Sequence, residues 1–157
     1  MFLTVHSVVG ANLGKISPDP ITAFILGFIS HFLIDLIPHG DYEYFAPHKF
    51  PTRWKRIRKI MAFAIVDSTL ATIVVSLYMA WALPLNPWSI AAGVIGAIMP
   101  DLLMGIGEMT DKKFLGRFWK FHLKFHHFEV ENKMRLNMKQ GLVVQSIALA
   151  IFTYILI

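Results

Sequence analysis

The sequence predicts an all-α polytopic membrane bundle: four spans plus a short N-terminal helix, with interfacial amphipathic helices in two cytoplasmic loops. Three observations lead there. Hydrophobic residues fill 55% of the 157 positions and charged residues only 16%, more apolar surface than a soluble domain of this size can hide. The apolar residues gather into runs close to the ~20 residues that cross a ~30 Å hydrocarbon core. Lys and Arg are almost confined to two connecting segments, the asymmetry that orients membrane proteins.

The elements follow in order, within one domain spanning residues 1–157. Residues 2–14 form a short helix in which Gly10, Ala11 and Gly14 permit close packing against a neighbour. Its start has no basic region and no small-residue cleavage site, so it is expected to stay in place rather than be removed as a signal peptide. Spans follow at 21–37, 61–83, 88–107 and 141–157. The second and third form a hairpin across Pro84-Leu85-Asn86-Pro87, with Trp81 and Trp88 where an aromatic belt would lie. Two basic loops, 38–60 and 108–140, complete the chain. Each holds an amphipathic stretch: Arg53 to Ile60, and Phe114, Phe118, Phe121 and Phe125 set among Lys and Arg. Helical spacing of that kind suits a helix lying on anionic headgroups, and equally an ordinary loop helix with snorkelling basic side chains.

The net charge is +5 and the isoelectric point about 9.6. Because the basic residues flank hydrophobic spans and alternate with Trp and Phe, the expected partner is an anionic lipid surface, and nucleic acid is not expected. All of the Lys and Arg except Lys15 fall in the two long loops. The expected topology therefore has the N-terminus and both loops in the cytoplasm and the C-terminus outside, in a plasma or inner membrane. The absence of cysteine excludes disulfides, thiolate metal sites and a cysteine nucleophile.

Ionisable residues inside the spans carry the functional information, since each costs roughly 2.5–3.5 kcal/mol at the bilayer centre. Protonation, a cation, a basic partner or a water-filled cavity must offset that cost. Counted at 1.5 Å per residue, Asp67 and Asp101 lie roughly 9 Å, His31 roughly 10 Å, Asp35 roughly 5 Å and His6 roughly 8 Å from the cytoplasmic ends of their helices. The outer halves of the spans hold no His, Asp, Glu, Lys or Arg. The polar residues thus converge on one layer that opens toward the basic loops.

The richest motif is Ser30-His31-Phe32-Leu33-Ile34-Asp35-Leu36-Ile37-Pro38-His39-Gly40-Asp41. His31 and Asp35 share a helix face at four-residue spacing and are placed either to bind one ion or to hydrogen-bond each other. Pro38 ends the helix and lets His39 and Asp41 fold back. Imidazole with carboxylate suits zinc, manganese or iron. In Gly96-Ala97-Ile98-Met99-Pro100-Asp101, proline deprives the Gly96 carbonyl of its helical donor beside Asp101, which marks either a cavity or a packing kink. His6 is a further ligand or a hydrogen-bonded core histidine. Asp67 is a ligand, a partner of one, or a solvated acid near a helix start. His122 and His126, also four apart, are either surface residues or caps on the site that meet a substrate phosphate, with Arg53 and Lys120 as companion headgroup contacts.

His6 with Gly10, the His31 to Asp41 run and Pro100-Asp101 resemble the small multi-pass proteins grouped as membrane-bound metal-dependent hydrolases. The resemblance covers about the first 41 residues and the Pro100-Asp101 region. It implies metal ligands at His6, His31, Asp35, Asp101 and His39, with Asp101, His39 and Asp41 in catalytic roles. The His-Arg-Gly-x-Thr-His stretch of larger members is missing, and His122 to His127 is its nearest substitute. The implied cofactor is one or two divalent ions, zinc first, with manganese or magnesium as alternatives. The implied activity is hydrolysis of a phosphate- or ester-containing, lipid-linked substrate at the cytoplasmic interface. The alternative is a non-catalytic membrane protein with a structural metal or hydrogen-bond site and a lipid- or partner-docking basic face. An ion pathway fits less well, because it requires polar residues through the outer half as well.

Overall fold

The computed structural model describes residues 1–40, 44–110, 115–131 and 136–157, with side chains in the fifth helix described as far as Phe125. It is all-helical among the described residues: α1 Leu3–Ile16, α2 Pro20–Ile34, α3 Arg53–Ala82, α4 Pro87–Met109, α5 Gly116–Glu131 and α6 Met138–Leu156, with a 3-10 turn at Pro47–Lys49. Three of these, α3, α4 and α6, are long and apolar enough to cross a membrane. At 15 residues α2 is shorter, about 22 Å against a ~30 Å core. It ends three residues before the expected Ile37, because a proline ring at position 38 clashes with the carbonyl of Ile34 and excludes Ile37 from the helical region.

Local signals explain the starts. Asp19 accepts the amides of Ile21 and Thr22 at 2.9 Å each, and Pro20 occupies the first helical position. Asn86 and Pro87 repeat the arrangement for α4, and Asn137 with Gln140 closes a capping box at α6. The stretch from Arg53 to Ile60 is not a separate interfacial helix. It is the first two turns of α3, which runs for 30 residues without a proline or glycine. At about 45 Å, α3 matches a bilayer with its headgroup layers.

The short N-terminal helix is the axis of the bundle. Residues Thr4 to Ala11 of α1 are all buried, and α1 packs against α2, α3, α4 and α6. The approach to α4 is backbone on backbone: a methyl group on Gly10 would strike the Gly93 carbonyl and lie 2.9 Å from Ala97 Cβ. Gly27 of α2 meets the same Gly93 carbonyl, and Gly96 abuts the Phe24 backbone. Small residues thus let α1, α2 and α4 close into a tight trio.

Phe2, at the N-cap of α1, has no side chain able to satisfy the first amides. Two other helices do so instead. Asp67 of α3 accepts the Leu3 and Thr4 amides at 2.5 and 3.2 Å and the Thr4 hydroxyl at 2.5 Å. Gln145 of α6 accepts the Phe2 amide at 2.6 Å and donates to the His39 carbonyl at 3.0 Å. Asp67 is therefore neither a solvated acid nor a member of the ligand cluster; it is a buried cap provided in trans.

The described residues sort into two ends. At one lie Met1 to His6, the close of α2, and Asp67 and Gln145 in the first halves of α3 and α6, joined by the contacts above. At the other, Lys15 donates to the Leu156 carbonyl at 2.7 Å, beside an open groove of about 590 Å³ lined in part by Trp81, Leu85 and Ile157. Asp67→Ala should leave two buried amides without an acceptor, a loss of roughly 1–3 kcal/mol, read as a lower thermal midpoint in detergent. Asp67→Asn, which keeps one acceptor oxygen, should recover part of it, and an unchanged midpoint for the alanine variant would refute the capping role.

Candidate metal centre

His31 lies one turn before the end of α2, and Asp35 is its C-cap residue, whose amide bonds back to the His31 carbonyl. That brings both side chains onto the face turned toward α1 and α4. Asp101 follows Pro100 inside a helix that continues from Pro87 to Met109. The His31 Nδ1–H donates to the Ala97 carbonyl of α4 at 2.9 Å, because a carbonyl can only accept. This bond turns Nε2 inward, as the outer hydrogen bond of a metal-ligating histidine does.

The fourth member arrives on α5. Phe118, Phe121 and Phe125 pack on Phe32 of α2, with ring centroids 5.0–6.4 Å apart, and Phe118 also meets Phe28. The aromatic face of α5 is thus docked, in part, on protein. His122, on that same face, is 1% exposed, while Arg117, Lys120 and Lys124 are exposed.

Four donor atoms, one each from His31, Asp35, Asp101 and His122, lie within 4.8 Å of one another. His31 Nε2 is 2.9 Å from His122 Nε2, 3.2 Å from Asp35 Oδ2 and 3.7 Å from Asp101 Oδ1. His122 Nε2 is 3.8 Å from Asp35 Oδ2 and 3.5 Å from Asp101 Oδ1. Bonds of about 2.0–2.1 Å to a tetrahedral zinc give donor–donor edges of roughly 3.3 Å, and these five separations bracket that value. Two imidazole nitrogens 2.9 Å apart share at most one proton between them. A divalent cation fits the set.

Burial is uneven. The side chains of His31 and Asp35 are fully buried and that of His122 nearly so, while Asp101 keeps a quarter of its side chain exposed. Asp101 is therefore the most exposed member of the site.

The other expected site residues are placed as follows. His6 is buried outside the four-donor set, with Nε2 3.2 Å from Asp35 Oδ1 and its ring stacked on His31 at 4.2 Å. The Met1 amino group is 2.8 Å from the same oxygen. His39 is buried and also outside the set. Its Nδ1–H donates to the Ile37 carbonyl at 2.7 Å, and Gly40, at φ +75°, turns the chain against Asn137 at the start of α6. Asp41 and the side chain of His126 lie outside the described residues. Arg53 donates to the Glu108 carbonyl and Arg56 pairs with the Glu108 carboxylate, so the expected headgroup contact at Arg53 serves to tie α3 to α4. His122, expected at a headgroup, enters the cluster. Its signal was the Phe118, Phe121 and Phe125 face that surrounds it.

Fold and site define a helical protein with three helices of membrane-crossing length and a buried two-histidine, two-carboxylate cluster. No protein-family model, curated protein or solved structure matches the chain.

His31→Ala and His122→Ala should each weaken zinc retention in detergent by at least the roughly 10–100-fold that loss of an outer partner costs. Lys120→Ala should leave it unchanged. Competitive titration against a chromogenic chelator measures this, and parental affinity in both histidine variants would remove them as ligands.

Proposed function

We propose that the protein is a membrane-embedded, metal-dependent hydrolase acting on a phosphate- or ester-containing, lipid-linked substrate at the cytoplasmic face. The observation that carries this reading is the convergence of His31, Asp35, Asp101 and His122 from three helices, with separations matching a metal's coordination edges. A divalent ion held there supplies Lewis acidity, acidifying water and polarising a phosphoryl or acyl oxygen. His31 is oriented for ligation by its bond to Ala97. Asp101, the exposed member, is placed to accept a proton from water. Of the ligands that the resemblance to membrane-bound metal-dependent hydrolases implies, His31, Asp35 and Asp101 fall in this set.

In the proposed topology α2 is a fourth, short apolar segment held within the bundle beside α1, and the site end faces the cytoplasm. Exposed Lys55, Arg58, Arg117, Lys120, Lys124 and Lys139 at that end would attract anionic headgroups, each worth about 1 kcal/mol near the surface. The substrate bond would then lie near headgroup depth.

One observation favours a second reading, a structural metal site in a non-catalytic protein. Four protein donors complete a tetrahedron, whereas catalytic zinc sites keep a position open.

Two measurements test the proposal. The chain has no native cysteine, so single cysteines report topology cleanly. Asn86→Cys should react with an impermeant maleimide in intact cells and Lys120→Cys only in inverted vesicles, and the opposite pattern would invert the orientation. Zinc-loaded protein should release product from labelled phospholipid in mixed micelles, with Asp101→Asn lowering turnover ~10²–10⁴-fold, the usual worth of an acid–base group. Unchanged lipid across headgroup classes would select the structural reading.

A further inference from the structure

The four-donor set uses only one side of the Asp35 carboxylate. Its Oδ2 lies 3.2 Å from His31 Nε2, while its Oδ1 lies 3.2 Å from His6 Nε2. The two imidazoles are stacked with centroids 4.2 Å apart and planes 22° from parallel. Two stacked rings therefore aim equivalent nitrogens at the two different oxygens of one carboxylate. The ring centroids stand a little further apart than the about 3.5–4 Å between the ions of two-metal sites.

His6 Nε2 faces Asp35 Oδ1 at 3.2 Å. The residue is 1% exposed, and its Nδ1 makes no hydrogen bond among the described residues. The bundle also holds His6 firmly: Thr4, half a turn earlier, is tied to Asp67, and Gly10, one turn later, is seated on Gly93. A positive charge already stands beside Oδ1 in the Met1 amino group.

We infer that Asp35 bridges two divalent cations, one in the four-donor set and a second between its Oδ1 and His6 Nε2, where the ion replaces the amino group's contact. This rests on the metal-centre reading and extends it. The first locus is filled by four side chains. The second draws two donors from the described residues. Imidazole with carboxylate accepts zinc or manganese at such a position.

Manganese makes the pair visible. The full chain, purified in detergent, stripped with chelator and reloaded with Mn²⁺ alone, should take up two ions per chain by elemental analysis. Its electron paramagnetic resonance spectrum should be exchange-coupled. His6→Ala and His6→Gln should each hold one ion with an uncoupled six-line spectrum, at parental helicity by circular dichroism. One uncoupled ion per chain in the parent overturns the bridge and leaves the single-metal reading standing. No retained ion overturns both. Two coupled ions in folded His6 variants overturn the role of His6.

Discussion

The arrangement depends on one backbone contact, at Gly93, where α1 and α2 both reach α4 with no side chain intervening. Glycine is required there for its lack of a side chain, since a methyl group would meet the Gly10 carbonyl. Because the helices approach so closely, residues one or two turns further along are brought together as well. His6 lies one turn before Gly10, His31 one turn after Gly27, and Asp101 two turns after Gly93. The site is the continuation of a packing contact, and the same trio positions His31 Nδ1 against the Ala97 carbonyl.

The electrostatic constraint follows. Two carboxylates whose donor atoms lie within 4.8 Å of each other repel by roughly 3–4 kcal/mol at an effective dielectric of about 20. Desolvation adds to that cost. The Met1 amino group offsets part of that charge at Asp35 Oδ1, and His31 Nε2 faces Asp35, Asp101 and His122 together. A divalent cation meets all four donors at once. Asp67 offers a contrast within the same bundle: its charge is taken up by the first amides of α1, and the partial positive end of that helix suits it.

Most of this was legible in the sequence where chemistry and depth agreed. His31, Asp35 and Asp101 were readable because charged groups are rare in apolar helices and these fell in one layer. His122 was harder, because a helix alternating Phe with Lys and Arg reads the same whether its aromatic face meets lipid or protein. Only the docking of Phe118 and Phe125 on Phe32 distinguishes the two. The unbroken α3 was readable in principle, since nothing between Arg58 and Ala64 stops a helix, but the change from basic to apolar residues invited a division at Met61. The trans caps were beyond reach. That Asp67 and Gln145 meet the start of α1 depends on tertiary placement, about which local spacing carries no information.

The exposure of the four donors bears on whether the centre acts on a substrate. A metal whose ligands are all buried holds a fold together, and breaking such a set exposes nothing. Here His31, Asp35 and His122 are buried, while Asp101 retains contact with its surroundings. It follows Pro100, which provides no amide to the helix and so loosens the turn that carries it. The donor best placed to yield a coordination position is thus the most exposed one, on the end of the bundle that carries Lys55, Arg58, Arg117, Lys120 and Lys124. A substrate held there by its anionic group would approach Asp101 before it met any other member of the site. That ordering is what the proposed hydrolytic function would use.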